Sequence, residues 1–86
     1  MTRTSDPTAA HAFCSHNRAA VESSDECGCF YCCQTFWASS VWEYTVEGPA
    51  GNALCPRCGI DSVLPDACVE LSPALLTDME RIWFDA

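Results

Sequence analysis

Apolar and polar residues recur most regularly in the last part of the chain, after residue 71. The apolar positions there have the spacing of one helix face: Leu75, Leu76, Met79, Ile82 and Trp83. Ser72 and Pro73 precede them, and serine followed by proline is typical of a helix N-cap and first turn. The pattern predicts an amphipathic C-terminal helix whose apolar stripe is buried.

A second helical pattern covers residues 8 to about 23. Its apolar positions are mostly small: Ala9, Ala12, Phe13, Ala19, Ala20 and Val21. Asp6 is placed to act as the N-cap of this helix, and Pro7 to occupy its first turn. Residues 1–7 contain no recurring apolar position, so we expect a disordered tail there and one folded domain over residues 8–86.

The middle of the chain has short apolar segments separated by turn formers. Residues 27–33 are too rich in cysteine for a regular element and are predicted as a loop. An aromatic segment follows, and residues 41–44 within it fit either one helical turn or a strand. Residues 47–52 predict a chain reversal, and the alternating apolar residues of 60–64 stop at Pro65. No segment approaches the ~20 apolar residues of a membrane span.

The eight cysteines include two pairs with the same internal spacing, Cys29 with Cys32 and Cys55 with Cys58. A two-residue gap lets both thiolates of a pair face one ion, while nearby backbone N–H groups point at the sulfurs. Zn²⁺ takes four such ligands in a tetrahedron at structural sites. The spacing therefore predicts one structural Zn²⁺ held by these four cysteines, so that residues 8–86 form a single zinc-binding domain. We call each pair with its closing turn a knuckle.

A metal rather than a set of disulfides is expected to staple this small protein. A chain of 86 residues buries a limited core and commonly needs a staple. Disulfides persist in secreted proteins, and residues 1–12 lack the apolar segment of a signal peptide. We therefore expect a cytoplasmic protein whose reduced thiols bind metal.

The turns that close the two knuckles differ in sequence. Gly59 follows the second pair and adopts the left-handed conformation of such turns without strain. Cys33 stands at the matching position after Cys32. The first knuckle is therefore predicted to close with a costlier residue or with a different geometry.

The other cysteines and the two histidines leave alternatives for the ligand set. Cys27 could replace Cys29, and His16 is the substitute if one thiolate is not a ligand. Otherwise His11 and His16 fit hydrogen-bonded residues packed against a knuckle. The remaining cysteines fit buried apolar side chains: Cys14, Cys33 and Cys68.

The charge balance is strongly acidic, with a formal net charge of −8 and only four basic residues, all arginine. Nucleic-acid binding rests on Lys and Arg that neutralise phosphates, so we expect no nucleic-acid partner, and we expect no membrane partner either. The expected partner is another protein or a second copy of the chain. Trp37 and Trp42 are the candidate contact residues, because clustered surface aromatics are typical of interfaces.

No enzymatic activity is expected from these residues. Four thiolates fill the coordination shell of zinc, whereas catalytic zinc keeps one position open. Asp61 and Ser62 follow the second pair closely, yet they fit a turn or short cap more simply than a nucleophile and its helper.

Four short motifs stand out along the chain: HNR at 16–18, CGCFYC at 27–32, CPRCGIDSV at 55–63 and MERIWF at 79–84. Together they resemble a family of small bacterial cytoplasmic proteins of unestablished function. The resemblance spans about residues 11–84 and implies the same four thiolate ligands, with Cys27 as an accompanying cysteine. It implies no activity. Cys33 and Cys68 depart from the family pattern. The resemblance therefore implies no shared role for the loop over residues 65–71.

The CPRCG segment is also similar to the second knuckle of rubredoxins, small acidic proteins that hold iron between two CxxC pairs. The segment 29–33 departs from their pattern, which has glycine after the second cysteine. A rubredoxin-like iron electron carrier is thus the alternative to a zinc protein that acts as an adaptor or regulatory module. The predicted fold is a small α+β metal-stapled domain. Its zinc-ribbon-like, two-knuckle centre is flanked by N- and C-terminal helices.

Overall fold

Strand β1 (Glu26–Cys29) lies at the centre of a three-stranded antiparallel sheet in the order β2-β1-β3. Its neighbours are β2 (Thr35–Trp37) and β3 (Val63–Pro65). A computed structural model describes residues 3–84 of the chain. Within this range the predicted α+β class is confirmed, whereas the loop predicted for residues 27–33 begins only after β1.

The register of the sheet decides which cysteines share a face. Cys27 lies opposite Phe36 and Cys29 lies opposite Val63, so both cysteines face the same side of the sheet. Gly28 faces the other side, where a Cβ atom would lie 3.3 Å from Leu76 Cδ1. The glycine therefore lets a helix pack closely against the strand that carries the first knuckle.

The N-terminal segment folds as three short helical pieces instead of one helix over residues 8–23. They are α1 (Pro7–Ala10), a 3₁₀ helix (His11–Cys14) and α2 (Arg18–Glu22). The predicted N-cap is confirmed, because the Asp6 side chain accepts a hydrogen bond from the N–H of Thr8. The single-helix prediction is wrong after residue 14, where the backbone leaves the helical conformation.

Asn17 explains the break, because its amide side chain takes the place of helical hydrogen bonds. Its Nδ2 donates to the carbonyl oxygens of Phe13, at 2.9 Å, and of Val63, at 2.8 Å. Its Oδ1 accepts from the N–H of Ala53 at 3.0 Å. Asn17 is only 3% exposed, so this one side chain joins the N-terminal segment, β3 and the segment that leads into the second knuckle.

The residues before α1 are attached to the loop after β3. Thr4 pairs with Val69, its N–H donating to the carbonyl of Cys68 and its carbonyl accepting from the N–H of Glu70. The tail over residues 1–7 stays a prediction, and within it Thr4 pairs with the loop after β3 through its backbone, which requires no apolar side chain. The first two residues lie outside the described range.

The C-terminal helix α3 (Pro73–Trp83) begins as predicted, with the Ser72 side chain accepting a hydrogen bond from the N–H of Leu75. Leu75 and two further residues of its stripe, Leu76 and Met79, are buried. Ile82 is 56% exposed, so the prediction that the whole stripe is buried is wrong at this position.

Two clusters of buried side chains lie on the two faces of the sheet. The cluster that α3 covers contains Ala10, Cys14, Phe30, Leu64, Val69, Leu75, Leu76 and Met79. The cluster on the α2 side contains Val21, Cys27, Cys29, Phe36, Ala38, Ala53, Cys55 and Val63. Leu64 and Val63 are neighbours on β3, and their side chains contribute to different clusters because successive strand residues face opposite sides.

The connection between the knuckles contains little regular structure. A 3₁₀ helix (Ala38–Ser40) follows β2, so the helical turn lies just before the predicted residues 41–44. The predicted chain reversal is confirmed by an antiparallel bridge between Tyr44 and Ala53. None of the helices in residues 3–84 has the length and apolar character needed to cross a bilayer.

Replacing Asn17 by alanine is expected to destabilise the fold by about 2 to 4 kcal/mol, because the buried carbonyl of Val63 and N–H of Ala53 then lose their partner. Chemical denaturation followed by circular dichroism measures this change. Asn52→Ala is the matched control, since the Asn52 side chain accepts one exposed hydrogen bond from the N–H of His16. Equal losses for both variants would contradict the role given to Asn17.

Candidate metal centre

Four cysteine side chains from the two knuckles meet where β1 ends. Cys29 is the last residue of β1, and Cys32 lies in the turn that follows. Cys55 and Cys58 come from the turn that follows the Tyr44–Ala53 bridge. The antiparallel pairing of β1 with β3 places the residues just before β3 beside the end of β1.

The four sulfur atoms are arranged closely enough to share one ion. All of them lie within 4.8 Å of one another. The Sγ atoms of Cys29 and Cys58 are 3.6 Å apart, and those of Cys32 and Cys55 are 3.8 Å apart. Four sulfurs at ~2.3 Å from a tetrahedral ion lie about 3.8 Å from one another. The side chains therefore fit a tetrahedral thiolate-bound metal such as Zn²⁺ or iron.

The two knuckles repeat the same backbone hydrogen bonds. The N–H of Cys29 donates to the carbonyl of Gln34, and the N–H of Cys55 donates to the carbonyl of Ile60, both at 2.9 Å. Within each turn, one further N–H points at the first sulfur. Tyr31 donates to Cys29 Sγ at 3.4 Å, and Arg57 to Cys55 Sγ at 3.3 Å. These N–H groups place the positive ends of their dipoles at the two sulfurs.

The closing residues of the two knuckles have the same unusual backbone conformation. Gly59 has a φ of 80° and Cys33 has a φ of 59°. The left-handed region costs a residue with a Cβ atom about 1 to 2 kcal/mol. The first knuckle thus keeps the backbone geometry of the second, and its closing residue Cys33 adopts the left-handed conformation at a higher conformational energy than glycine would. This is one of the two outcomes that the sequence predicts.

The thiols differ in acidity because their surroundings differ. Burial raises the pKa of Cys32 to about 11, and burial raises the pKa of Cys58 to about 12. Burial also opposes ionisation of Cys29, but hydrogen bonds, first among them the one from Ser62, outweigh it and lower its pKa. Cys29 therefore loses its proton at a lower pH than Cys32 and Cys58. A metal ion that binds all four sulfurs must displace the protons of Cys32 and Cys58.

Ser62 lies beside the thiol group, whereas its sequence position predicts only a turn or short cap. Its Oγ lies 3.1 Å from the Sγ of Cys29, and the residue is 2% exposed. Ser62 directly precedes β3 and is thereby held beside the end of β1. Its hydroxyl stabilises the Cys29 thiolate. The one sequence signal for this role is the position of Ser62 shortly after the second pair.

The alternative ligands lie elsewhere in the part of the chain described. Cys27 and both histidines are outside the group of four sulfurs. Cys27 is fully buried between β2 and β3. His11 stacks on Trp83, with ring centroids 4.2 Å apart, and His16 is exposed. Of the three remaining cysteines, Cys14 is buried, while Cys33 and Cys68 are partly buried.

Comparisons with known proteins identified no relative of this chain. No protein-family model, curated protein or solved structure matches the chain.

Replacing Ser62 by alanine is expected to weaken zinc binding roughly tenfold, because residues that hydrogen-bond a ligand commonly contribute this much to metal affinity. Competition with a chromophoric chelator measures the affinity. Ser40→Ala is the control, since Ser40 is an exposed serine at the end of the 3₁₀ helix. Unchanged affinity in Ser62→Ala would show that the Cys29 thiolate does not depend on this hydroxyl.

Proposed function

We propose that the protein binds one structural Zn²⁺ through Cys29, Cys32, Cys55 and Cys58 and acts as an adaptor or regulatory module. The observation that carries the proposal is the group of four sulfurs within 4.8 Å. The repeated N–H···S hydrogen bonds of the two knuckles support it. In this proposal the two knuckles form a zinc-ribbon-like centre of a cytoplasmic protein.

The role proposed for the metal is structural, because the protein supplies all four ligands. A catalytic zinc needs a position open to water or substrate, and a tetrahedral tetrathiolate site has none. Structural zinc in small peptides binds with about 10 kcal/mol or more at neutral pH, which is comparable to the whole stability of a small domain. The ion would therefore act as part of the core that joins the two knuckles.

The proposed partner is another protein or a second copy of the chain, on the side of β2. Trp37 is 66% exposed and Trp42 is 77% exposed, on either side of the Ala38–Ser40 helix. Beside Trp42 lies an open groove of about 380 Å³, whose lining includes Tyr44. Large exposed aromatics beside a groove are typical of the central residues of interfaces.

The charges support a protein partner over a nucleic acid. The chain carries a formal net charge of −8, and four thiolates around one divalent ion add about two more negative charges. Arg18 lies 3.5 Å from the carboxylate of Glu22, and Arg81 lies 3.9 Å from that of Asp78. These arginines therefore present an acidic neighbour to any phosphate.

Protein purified without added metal is expected to contain about one zinc per chain, because the four thiolates complete a zinc shell. Serine at Cys29, Cys32, Cys55 or Cys58 should abolish stable folding, since a lost ligand removes much of the metal's binding energy. Elemental analysis and circular dichroism measure the two effects.

The matched controls are Cys14→Ser, Cys68→Ser and Cys27→Ser, which should keep the metal at a cost of about 1 to 3 kcal/mol each. Iron as the major metal, with the red colour of ferric tetrathiolate, would instead establish the electron-carrier alternative. Loss of the metal in Cys27→Ser with retention in Cys29→Ser would overturn the ligand set.

Alanine at Trp37 and Trp42 is expected to reduce partner recovery or self-association, since aromatic anchors commonly dominate interface energy. Affinity purification and light scattering compare these variants with the wild type. Ile82→Ala is the control, because Ile82 is an exposed apolar residue of α3. If the tryptophan variants match Ile82→Ala in both measurements, the proposed contact surface is wrong.

A further inference from the structure

A second cavity, which adjoins the thiol group at Ser62, lies between the 3₁₀ helix His11–Cys14, the segment before β3 and the end of α3. It has a volume of about 320 Å³, which is at the small end of the range for ligand sites. Its walls include the rings of Phe30, Trp83 and Phe84, and Asp61 lies at its side. No role of the metal centre explains this combination of aromatic rings and a carboxylate.

His11, which also lines the cavity, stacks on one face of Trp83, and the other rings of the lining adjoin this pair at angles. The ring centroids of Phe30 and Trp83 are 6.1 Å apart with planes tilted by 57°, and those of Phe30 and Phe84 are 5.6 Å apart with a tilt of 39°. The ring of Tyr31 meets Phe84 edge-on at 4.8 Å and supports it from outside the lining. Aromatic faces at several angles around one space attract a cation through their negative π-faces.

The polar side chains of the lining are those of His11, Cys14, Ser15, Asp61 and Ser62, and Asp61 supplies the one carboxylate. Asp61 is exposed, and no arginine in residues 3–84 pairs with its carboxylate. The thiol of Cys14 adds no charge to the lining, because burial and, more weakly, the Asp61 charge raise its pKa. The same shift makes Cys14 a poor nucleophile. The net charge of −8 adds a long-range attraction for cations.

The chemistry of the walls also selects the kind of cation. Mg²⁺ and Ca²⁺ need six or more oxygen ligands, and this cavity offers one carboxylate and the hydroxyls of Ser15 and Ser62 beside the aromatic rings. An alkylated ammonium group is weakly hydrated and matches aromatic walls with a single counter-charge. We propose that the cavity lined by Phe30, Trp83, Phe84 and Asp61 binds a small organic ammonium cation, free or on a side chain.

Titration of the purified, metal-loaded protein with choline tests this proposal by ¹H–¹⁵N NMR. Binding should shift the indole N–H signal of Trp83 while leaving those of Trp37 and Trp42 unchanged. The neutral isostere 3,3-dimethylbutan-1-ol should bind at least about fivefold more weakly, because it lacks the charge that the rings attract. Nα-acetyl-lysine methylamide and its trimethylated form, used in parallel, distinguish a side chain from a free amine as the source of the cation.

Two variants locate the site. Asp61→Asn removes the charge without changing the side-chain shape, and Phe84→Leu removes one ring face; each should weaken choline binding about two- to fivefold. Asp78→Asn and Ile82→Ala are the matched controls outside the lining, and the NMR spectrum itself reports whether each variant is folded. Equal binding of the neutral isostere, no Trp83 shift with any ammonium probe, or unchanged affinity in both variants would overturn the proposal.

Discussion

The two knuckles bring four cysteine sulfurs within 4.8 Å of one another, where one metal ion would join them. Four thiolates this close repel one another unless a cation lies among them, and four protonated thiols make only weak contacts. Cys29 and Cys55 also belong to the buried cluster on the α2 side, so the sulfurs are continuous with the core. A shared metal would therefore complete the core of a small fold and fix β1 against the second knuckle.

The parts of the structure that depend on local sequence signals could be predicted. The Asp6–Pro7 and Ser72–Pro73 pairs mark helix starts, because capping and the proline φ act within one turn. The CxxC spacing in the same way identifies which four cysteines meet. The unusual closing turn of the first knuckle follows from comparing Cys33 with Gly59, since both stand one residue after a pair and both have a positive φ.

Features that depend on distant partners could not be predicted. The apolar pattern of residues 8–23 continues on both sides of Asn17 and gives no sign of a break. The helix stops there because the Asn17 side chain forms hydrogen bonds with the backbone of Val63 and Ala53. Likewise, the hydrogen bond between Ser62 and Cys29 forms because β3 pairs with β1. No local sequence motif predicts this long-range pairing. Ile82 has the spacing of a buried residue but is 56% exposed, whereas its neighbour Trp83 packs against the core, so helical periodicity alone does not decide the burial of each position.

The proposed site would hold one metal ion through sulfur alone. X-ray absorption at the zinc edge, recorded on protein purified without added metal, measures the ligand atoms and their distances directly. We expect four sulfur atoms at about 2.3 Å from the zinc and no lighter ligand atom. A nitrogen or oxygen atom in place of one sulfur, or the absence of zinc from the purified protein, would overturn the proposed site.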